Sequence, residues 1–178
     1  LSIDLDALAA NFAALAMLAA PARCAAVVKA DAYGLGLEPV ARRLAKAGCD
    51  CYFVANLAEG LALRAILPGV DIYVLEGPWP DEQDTFFAAQ LRPVINTLAQ
   101  FTHWAGLSAP APCALHVDTG MSRLGLSPAD ARQLAAQGFD GVQVDYLFTH
   151  LACADEEDHE LTPAQLALFD ELRAGFPG

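Results

Sequence analysis

Short apolar runs alternate with longer segments of helical periodicity along this sequence, and that rhythm limits the chain to repeated β/α units around a parallel sheet. The runs expected as strands are Cys24–Ala30, Cys51–Ala55, Asp71–Leu75, Pro93–Asn96, Ala114–Asp118 and Val144–His150. Helices are expected over Asp4–Ala19, Glu38–Ala47, Ala58–Leu67, Asp81–Gln90, Leu98–Leu107, Pro128–Gln137 and Pro163–Ala174. Pro80-Asp81-Glu82, Ser127-Pro128 and Thr162-Pro163 carry helix-start chemistry, with proline in the first turn and an oxygen side chain available as a cap. Gly48, Gly69 and Gly138 follow helices as stop signals. Such a series of β/α units without a nucleotide fingerprint suits either an open doubly wound sheet or an incomplete (β/α)8 barrel of the TIM type, with about six of its eight units present. Periodicity alone does not choose between them.

With 178 residues, 55% of them hydrophobic, the chain can bury a substantial core. Ten basic against 22 acidic residues give a net charge of -12, which repels phosphate backbones and anionic lipids, so neither nucleic acid nor membrane is expected as a partner. The cluster Asp155-Glu156-Glu157-Asp158 reads as a solvated acidic face. Five cysteines, an odd number set among apolar residues, read as reduced, packed thiols of a cytoplasmic protein. Only Asp50 separates Cys49 from Cys51, and no second ligand pair follows at zinc-finger spacing, so no metal site is expected. The apolar stretch Phe12–Ala22 lacks a basic flank and reads as neither a spanning helix nor a secretory signal. No low-complexity linker divides residues 1–178, which are expected to form one domain. Leu1 at the start and Gly175-Phe176-Pro177-Gly178 at the end read as cuts.

In both candidate folds, chemistry gathers at the carboxyl ends of the strands. The first run places Lys29 near its end, before Ala30-Asp31-Ala32-Tyr33-Gly34-Leu35-Gly36. A lysine closing a buried strand is expected to offer a free amine for Schiff-base chemistry with a carbonyl cofactor. A lysine whose stem packs while its ammonium reaches the rim is the structural alternative.

The string Ala26-Val27-Val28-Lys29-Ala30-Asp31-Ala32-Tyr33-Gly34-Leu35-Gly36 closely resembles the cofactor-lysine motif of alanine racemases. His116-Val117-Asp118-Thr119-Gly120-Met121-Ser122-Arg123-Leu124-Gly125 and Thr149-His150-Leu151-Ala152-Cys153-Ala154-Asp155-Glu156 resemble two further motifs of that family, in family order. Ile3-Asp4-Leu5-Asp6-Ala7-Leu8 and Asn11 look like its first helix. The resemblance covers essentially the whole chain, and long motifs in order are far more specific than one short pattern.

This resemblance implies the (β/α)8 barrel of the family's N-terminal domain, pyridoxal 5'-phosphate as cofactor, and racemisation of L- and D-alanine that supplies D-alanine for bacterial peptidoglycan. It implies that Lys29 binds the cofactor covalently and acts as the catalytic base on one face. Tyr33 would reach the cofactor phosphate, and Arg123 would approach its phenolic oxygen, for which a guanidinium is well suited. His150 is expected to close the sixth strand and to act through a hydrogen bond near the cofactor, or else to be a satisfied core histidine. The family's opposite base is a tyrosine from the C-terminal β domain of a partner subunit, so a homodimer is expected for the full-length protein. Tyr52, Tyr73 and Tyr146 do not match that motif, and residues 1–178 alone are expected to be inactive. The sequence departs from the family pattern at His116, where many members carry a carbamylated lysine that holds the arginine; imidazole cannot keep that carbamate, so Arg123 is expected to be positioned by something else. Other readings are a barrel-only pyridoxal-phosphate-binding homeostasis protein, which lacks the Asp118–Gly125 string in this form, and a broad-specificity racemase, whose motif commonly has asparagine where Leu124 stands. A retained binding or inert domain is a third.

Overall fold

Six parallel strands and eight helices alternate along a computed structural model that describes residues 2–176. Leu1 and Pro177-Gly178, read above as parts of cut ends, lie outside the described residues. The helices are α1 (Leu5–Ala19), α2 (Lys29–Tyr33), α3 (Leu37–Lys46), α4 (Leu57–Ile66), α5 (Gln83–Ala88), α6 (Leu98–Ala105), α7 (Pro128–Gln137) and α8 (Leu161–Arg173). The strands are β1 (Ala26–Val27), β2 (Cys51–Val54), β3 (Asp71–Val74), β4 (Arg92–Ile95), β5 (Cys113–His116) and β6 (Val144–Phe148). Their hydrogen-bonded order follows the sequence, β1 to β6, which is the order of an incomplete (β/α)8 barrel and not of a doubly wound sheet. The chain divides into two compact units, one reaching Leu75 and adding Asp84–Arg92, the other made of Glu76–Gln83 and everything from Pro93 on.

In the first unit β2 pairs β3 in register from Cys51↔Asp71 to Val54↔Val74, while β1 pairs β2 only at Ala26↔Tyr52 and Val27↔Phe53. Tyr52, Val54, Leu63, Ile72, Tyr73, Val74, Phe86 and Leu91 are fully buried in this unit. Gly60 lets α4 sit close, because a Cβ there would lie 3.0 Å from a Leu91 methyl and 3.3 Å from a Val74 methyl. Ion pairs lace the amino ends of the strands. Arg23 binds Asp50 at 2.9 Å and Asp71 at 2.8 Å, and Arg92 binds Asp71 at 2.7 Å. Nearby the Arg64 guanidinium donates to the carbonyls of Leu67, Pro68, Val70, Ala89 and Gln90, so one side chain satisfies the acceptors left at the end of α4 and after α5.

In the second unit β5 pairs β4 at Val94↔Ala114 and Ile95↔Leu115, and pairs β6 through a register shift between Cys113 and Ala114. All four β5 residues are buried, as expected of a central parallel strand covered on both faces. Helix α7 begins as its sequence requires: Ser127 Oγ accepts from Asp130 N–H at 3.1 Å, with Pro128 in the first turn.

Most expected elements differ from the observed ones by one or two residues at their ends. The largest correction is at β1, expected over Cys24–Ala30 and reduced to two residues. It has β2 as its single neighbour within this unit, and the chain leaves it through a left-handed turn that no periodicity announces. The expected helix Asp81–Gln90 is shortened to Gln83–Ala88: Glu82 turns back to accept from Trp79 N–H at 3.0 Å, and Gln90 takes φ +52°. Thr162, expected as a cap, instead lies inside α8 and donates to the Cys153 carbonyl at 3.3 Å.

Candidate active site

The backbone after Lys29 holds the longest run of left-handed residues among the described residues. Ala30, Asp31, Ala32 and Tyr33 all take φ between 51° and 57°, the left-handed region, before Gly34 closes the turn at φ +82°. Left-handed geometry costs non-glycine residues about 1–2 kcal/mol each, so local hydrogen bonds must hold it. Glu59 supplies the central one: its carboxylate accepts from Ala30 N–H at 2.8 Å and from Ala55 N–H at 2.7 Å, tying the turn to the carboxyl end of β2. Asp31 accepts from Leu37 N–H at 2.6 Å, which fixes the start of α3 against the turn. Lys29 is therefore half-buried at the head of α2 and does not close a buried strand, which corrects the sequence expectation. Its Nζ lies 6.0 Å from the centroid of the Tyr33 ring, and that ring is largely exposed.

The second unit brings together His116, Asp118, Arg123 and His150. Asp118 Oδ1 accepts from the N–H groups of Gly120 and Ser122, winding the chain into a tight loop after β5. The loop returns to its own origin, since Leu126 N–H donates to the His116 carbonyl at 2.8 Å and Asp118 N–H to the Leu126 carbonyl at 2.9 Å. Gly125 is required there: φ is +114°, and a Cβ would lie 2.7 Å from the Asp118 nitrogen. Arg123 rides on this loop, exposed and without an ion pair among the described residues. His150 lies two residues beyond β6 and is exposed, so it neither closes the strand nor is a core histidine.

His116 is buried at the end of β5, stacked on Phe148 at 4.8 Å with its Nδ1 3.0 Å from Asn96 Oδ1. Burial lowers its pKa to about 4, with Arg123 and His150 acting in the same direction and Asp118 opposing. The imidazole is thus neutral at physiological pH. Burial also pushes the Cys51 thiol up to about 11 and Cys113 to about 12, which suits packed thiols and not nucleophiles.

Three supporting residues escaped the sequence reading. Glu59 and Asn96 act on residues 29 and 20 positions away, and short-range spacing carries no such signal. Gln165 is fully buried, and its amide satisfies the His150 carbonyl, Ala152 N–H and the Thr119 hydroxyl, at 2.9, 2.9 and 3.3 Å. A glutamine on the inward face of an otherwise apolar helical stripe was its available signal. The turn after β6 also gathers Cys153, Glu156 and His159, whose ligand atoms lie within 4.8 Å of one another. The backbone bonds Glu156 N–H to Cys153 O and His159 N–H to Glu156 O bring every third side chain to one side, but His159 Nδ1 already accepts from Leu161 N–H at 3.1 Å.

The model of the alanine racemase N-terminal domain matches residues 3–178. A catabolic alanine racemase of Mesorhizobium japonicum is 46% identical over 99% of this chain and 48% of its own length, and an alanine racemase of Rhodospirillum rubrum is 47% identical over 100% and 50%. The crystal structure of alanine racemase from Bartonella henselae with covalently bound pyridoxal phosphate superposes with a TM-score of 0.93 at 36% identity, over 99% of this chain and 53% of that one. The chain spans about half the length of these relatives. The lysine turn, the Asp118 loop, the turn after β6 and the start of α1 carry the sequences that resemble that family, and the chain belongs to the alanine racemase N-terminal domain family.

Proposed function

We propose that the whole protein racemises alanine with pyridoxal 5'-phosphate, that this chain supplies its lysine-bearing part, and that the D-alanine formed serves peptidoglycan synthesis. The observation that carries this reading is the left-handed turn that holds Lys29 at the carboxyl end of β1. It presents a primary amine on a backbone fixed by Glu59, which fits a carbonyl cofactor. Lys46, the other lysine, is exposed in the last turn of α3 and has no such setting.

When bound, the cofactor supplies an electron-accepting ring that acidifies the substrate Cα–H bond. Lys29 would hold it covalently and, as a free amine, would move the proton on one face of Cα. The Tyr33 hydroxyl, exposed beside Lys29, would hydrogen-bond the cofactor phosphate. The Arg123 guanidinium would stabilise negative charge on the phenolic oxygen, and His150 would act through a hydrogen bond near it. Proton return on the opposite face requires a second base. Burial pushes the Tyr52 phenol up, and its hydroxyl is engaged with the Cys49 and Ala41 carbonyls; Tyr73 is fully buried. Neither suits that role. The resemblance to the family implies a tyrosine of a partner subunit in a homodimer as that second base, and residues 1–178 alone are expected to show no measurable racemisation, since general acid–base groups contribute roughly 10²–10⁴-fold each.

Borohydride reduction of the cofactor-loaded whole protein, followed by peptide mapping, tests the assignment. A pyridoxyl adduct on Lys29 is expected; an adduct on Lys46, or none, would overturn it. Solvent-deuterium incorporation at Cα of both alanine enantiomers tests the reaction itself.

A further inference from the structure

We propose that His116 is the positioning residue for Arg123, its Nε2 accepting a hydrogen bond from the guanidinium. The assignment rests first on the hydrogen-bond network. The Asn96 amide nitrogen donates to the Val94 carbonyl at 3.1 Å, which turns Oδ1 toward His116 Nδ1. Because Oδ1 can only accept, Nδ1 must carry the proton, and Nε2 is left with a lone pair. That Nε2 is buried and has no hydrogen-bond partner among the described residues. A buried acceptor in this state is costly, and native structures rarely leave one unmet.

The ring cannot swing away to find water, because it is clamped flat on Phe148 with 7° between the planes. A donor must come to it. The loop that carries Arg123 begins and ends on His116 itself, through the Leu126 N–H to His116 carbonyl bond and the Val117↔Leu126 bridge. Arg123 lies close enough to influence the imidazole electrostatically, and its guanidinium brings five permanent donors and no ion-pair partner among the described residues. Burial keeps the imidazole neutral, so it accepts from the cation and does not repel it.

The choice of a neutral acceptor has a functional consequence. An anionic holder would cancel part of the guanidinium charge, whereas imidazole fixes its direction and leaves the charge available to an anionic oxygen. That last step rests on the function proposed above; the His116–Arg123 bond does not.

Phenylglyoxal labelling of the full-length, cofactor-free protein, read by mass spectrometry of the Arg123 peptide, tests the bond apart from catalysis. Wild type, His116→Phe and His116→Gln are compared, with Arg42 as internal reference. Arg123 labelling should rise about threefold to tenfold in His116→Phe, the factor expected when one ordinary hydrogen bond is lost. It should return toward wild type in His116→Gln, whose amide oxygen can accept. Equal Arg123 rates in all three proteins, or a glutamine variant that labels like the phenylalanine variant, would overturn the proposal. If circular dichroism shows that His116→Phe does not fold, Asn96→Leu replaces it: freeing Nδ1 lets the proton move to Nε2, Arg123 labelling should rise, and an unchanged rate overturns the proposal. A lysine adduct without any labelling change sinks the His116 assignment alone, and a labelling change without racemisation sinks only the functional reading.

Discussion

Acidification should destabilise this fold through His116, and the structure sets both the window and the size of the effect. The imidazole takes its proton near 6.5 when unfolded, while burial holds it off until about 4 in the folded chain. Between those values the unfolded state binds more protons, so stability rises with pH across the window. The contribution is fully present above pH 6.5, is lost progressively as pH falls toward 4, and changes no further below that. Two and a half units correspond to roughly 3 kcal/mol. Asp118 works against this shift and Arg123 and His150 work with it, so all three are part of the response. Urea denaturation of the full-length protein at pH 7.5, 6.5, 5.5 and 4.5, in wild type and His116→Gln, isolates the effect because carboxylate titrations cancel in the comparison. Wild type should lose about 2.5 kcal/mol more than the variant between the extremes, since pH 4.5 stops short of the folded value. Parallel losses, or a glutamine variant more sensitive to acid than wild type, would refute the burial argument.

Glu59→Gln removes a carboxylate that accepts from two backbone N–H groups, and a loss of about 1.5–3 kcal/mol in urea titration is expected; a change below about 0.5 kcal/mol would show that the Lys29 turn is held by something else. Gly125→Ala should cost about 3 kcal/mol or more, because positive φ and a 2.7 Å approach to the Asp118 nitrogen act together. Gly34→Ala, with open space around the added methyl, should cost only about 1–2 kcal/mol, and equal melting temperatures for the two variants would contradict the close approach. Gln165→Leu leaves the Ala152 N–H, the His150 carbonyl and the Thr119 hydroxyl with a partner removed, and hydrogen exchange at Ala152 should accelerate as the thermal midpoint falls.

The parallel β/α architecture was legible because burial on both faces writes itself into a strand as an uninterrupted apolar run, as at β5. Helix starts were legible where the cap is local, as at Ser127 and Pro128, and misplaced where the capping oxygen was used elsewhere, as at Thr162. The end of β1 was not legible. Ala25-Ala26-Val27-Val28 reads as strand by periodicity, yet the turn that cuts it short depends on Glu59, 29 positions from its partner Ala30. His150 was misplaced for a related reason: β6 ends at Phe148, and the segment beyond it is held by Gln165 from α8. Lys29, Tyr33 and Arg123 stand out as candidates through a family resemblance spread over long motifs, whereas the residues that hold their backbone do not, because such a support is defined by a contact distant in sequence.

The two ends of the β1–β3 sheet are built differently. At the amino ends Arg23, Arg92, Asp50 and Asp71 pair with one another, and Arg64 gathers five carbonyls, arrangements that close polar groups on themselves. At the carboxyl end of β1 the chain does the opposite: four successive non-glycine residues stand in the left-handed region, at a cost on the order of 4–8 kcal/mol before compensation. Strain of that size persists only where its surroundings over-determine it. Glu59, Asp31 and the Gly34 turn provide that determination, and what they hold in place is the backbone next to one amine. A regular extension of β1 would have satisfied more of the ladder without any left-handed residue, but it would have directed Lys29 by strand alternation alone. The turn makes its direction independent of the pleat, which is the reason to look for the chemistry at that lysine.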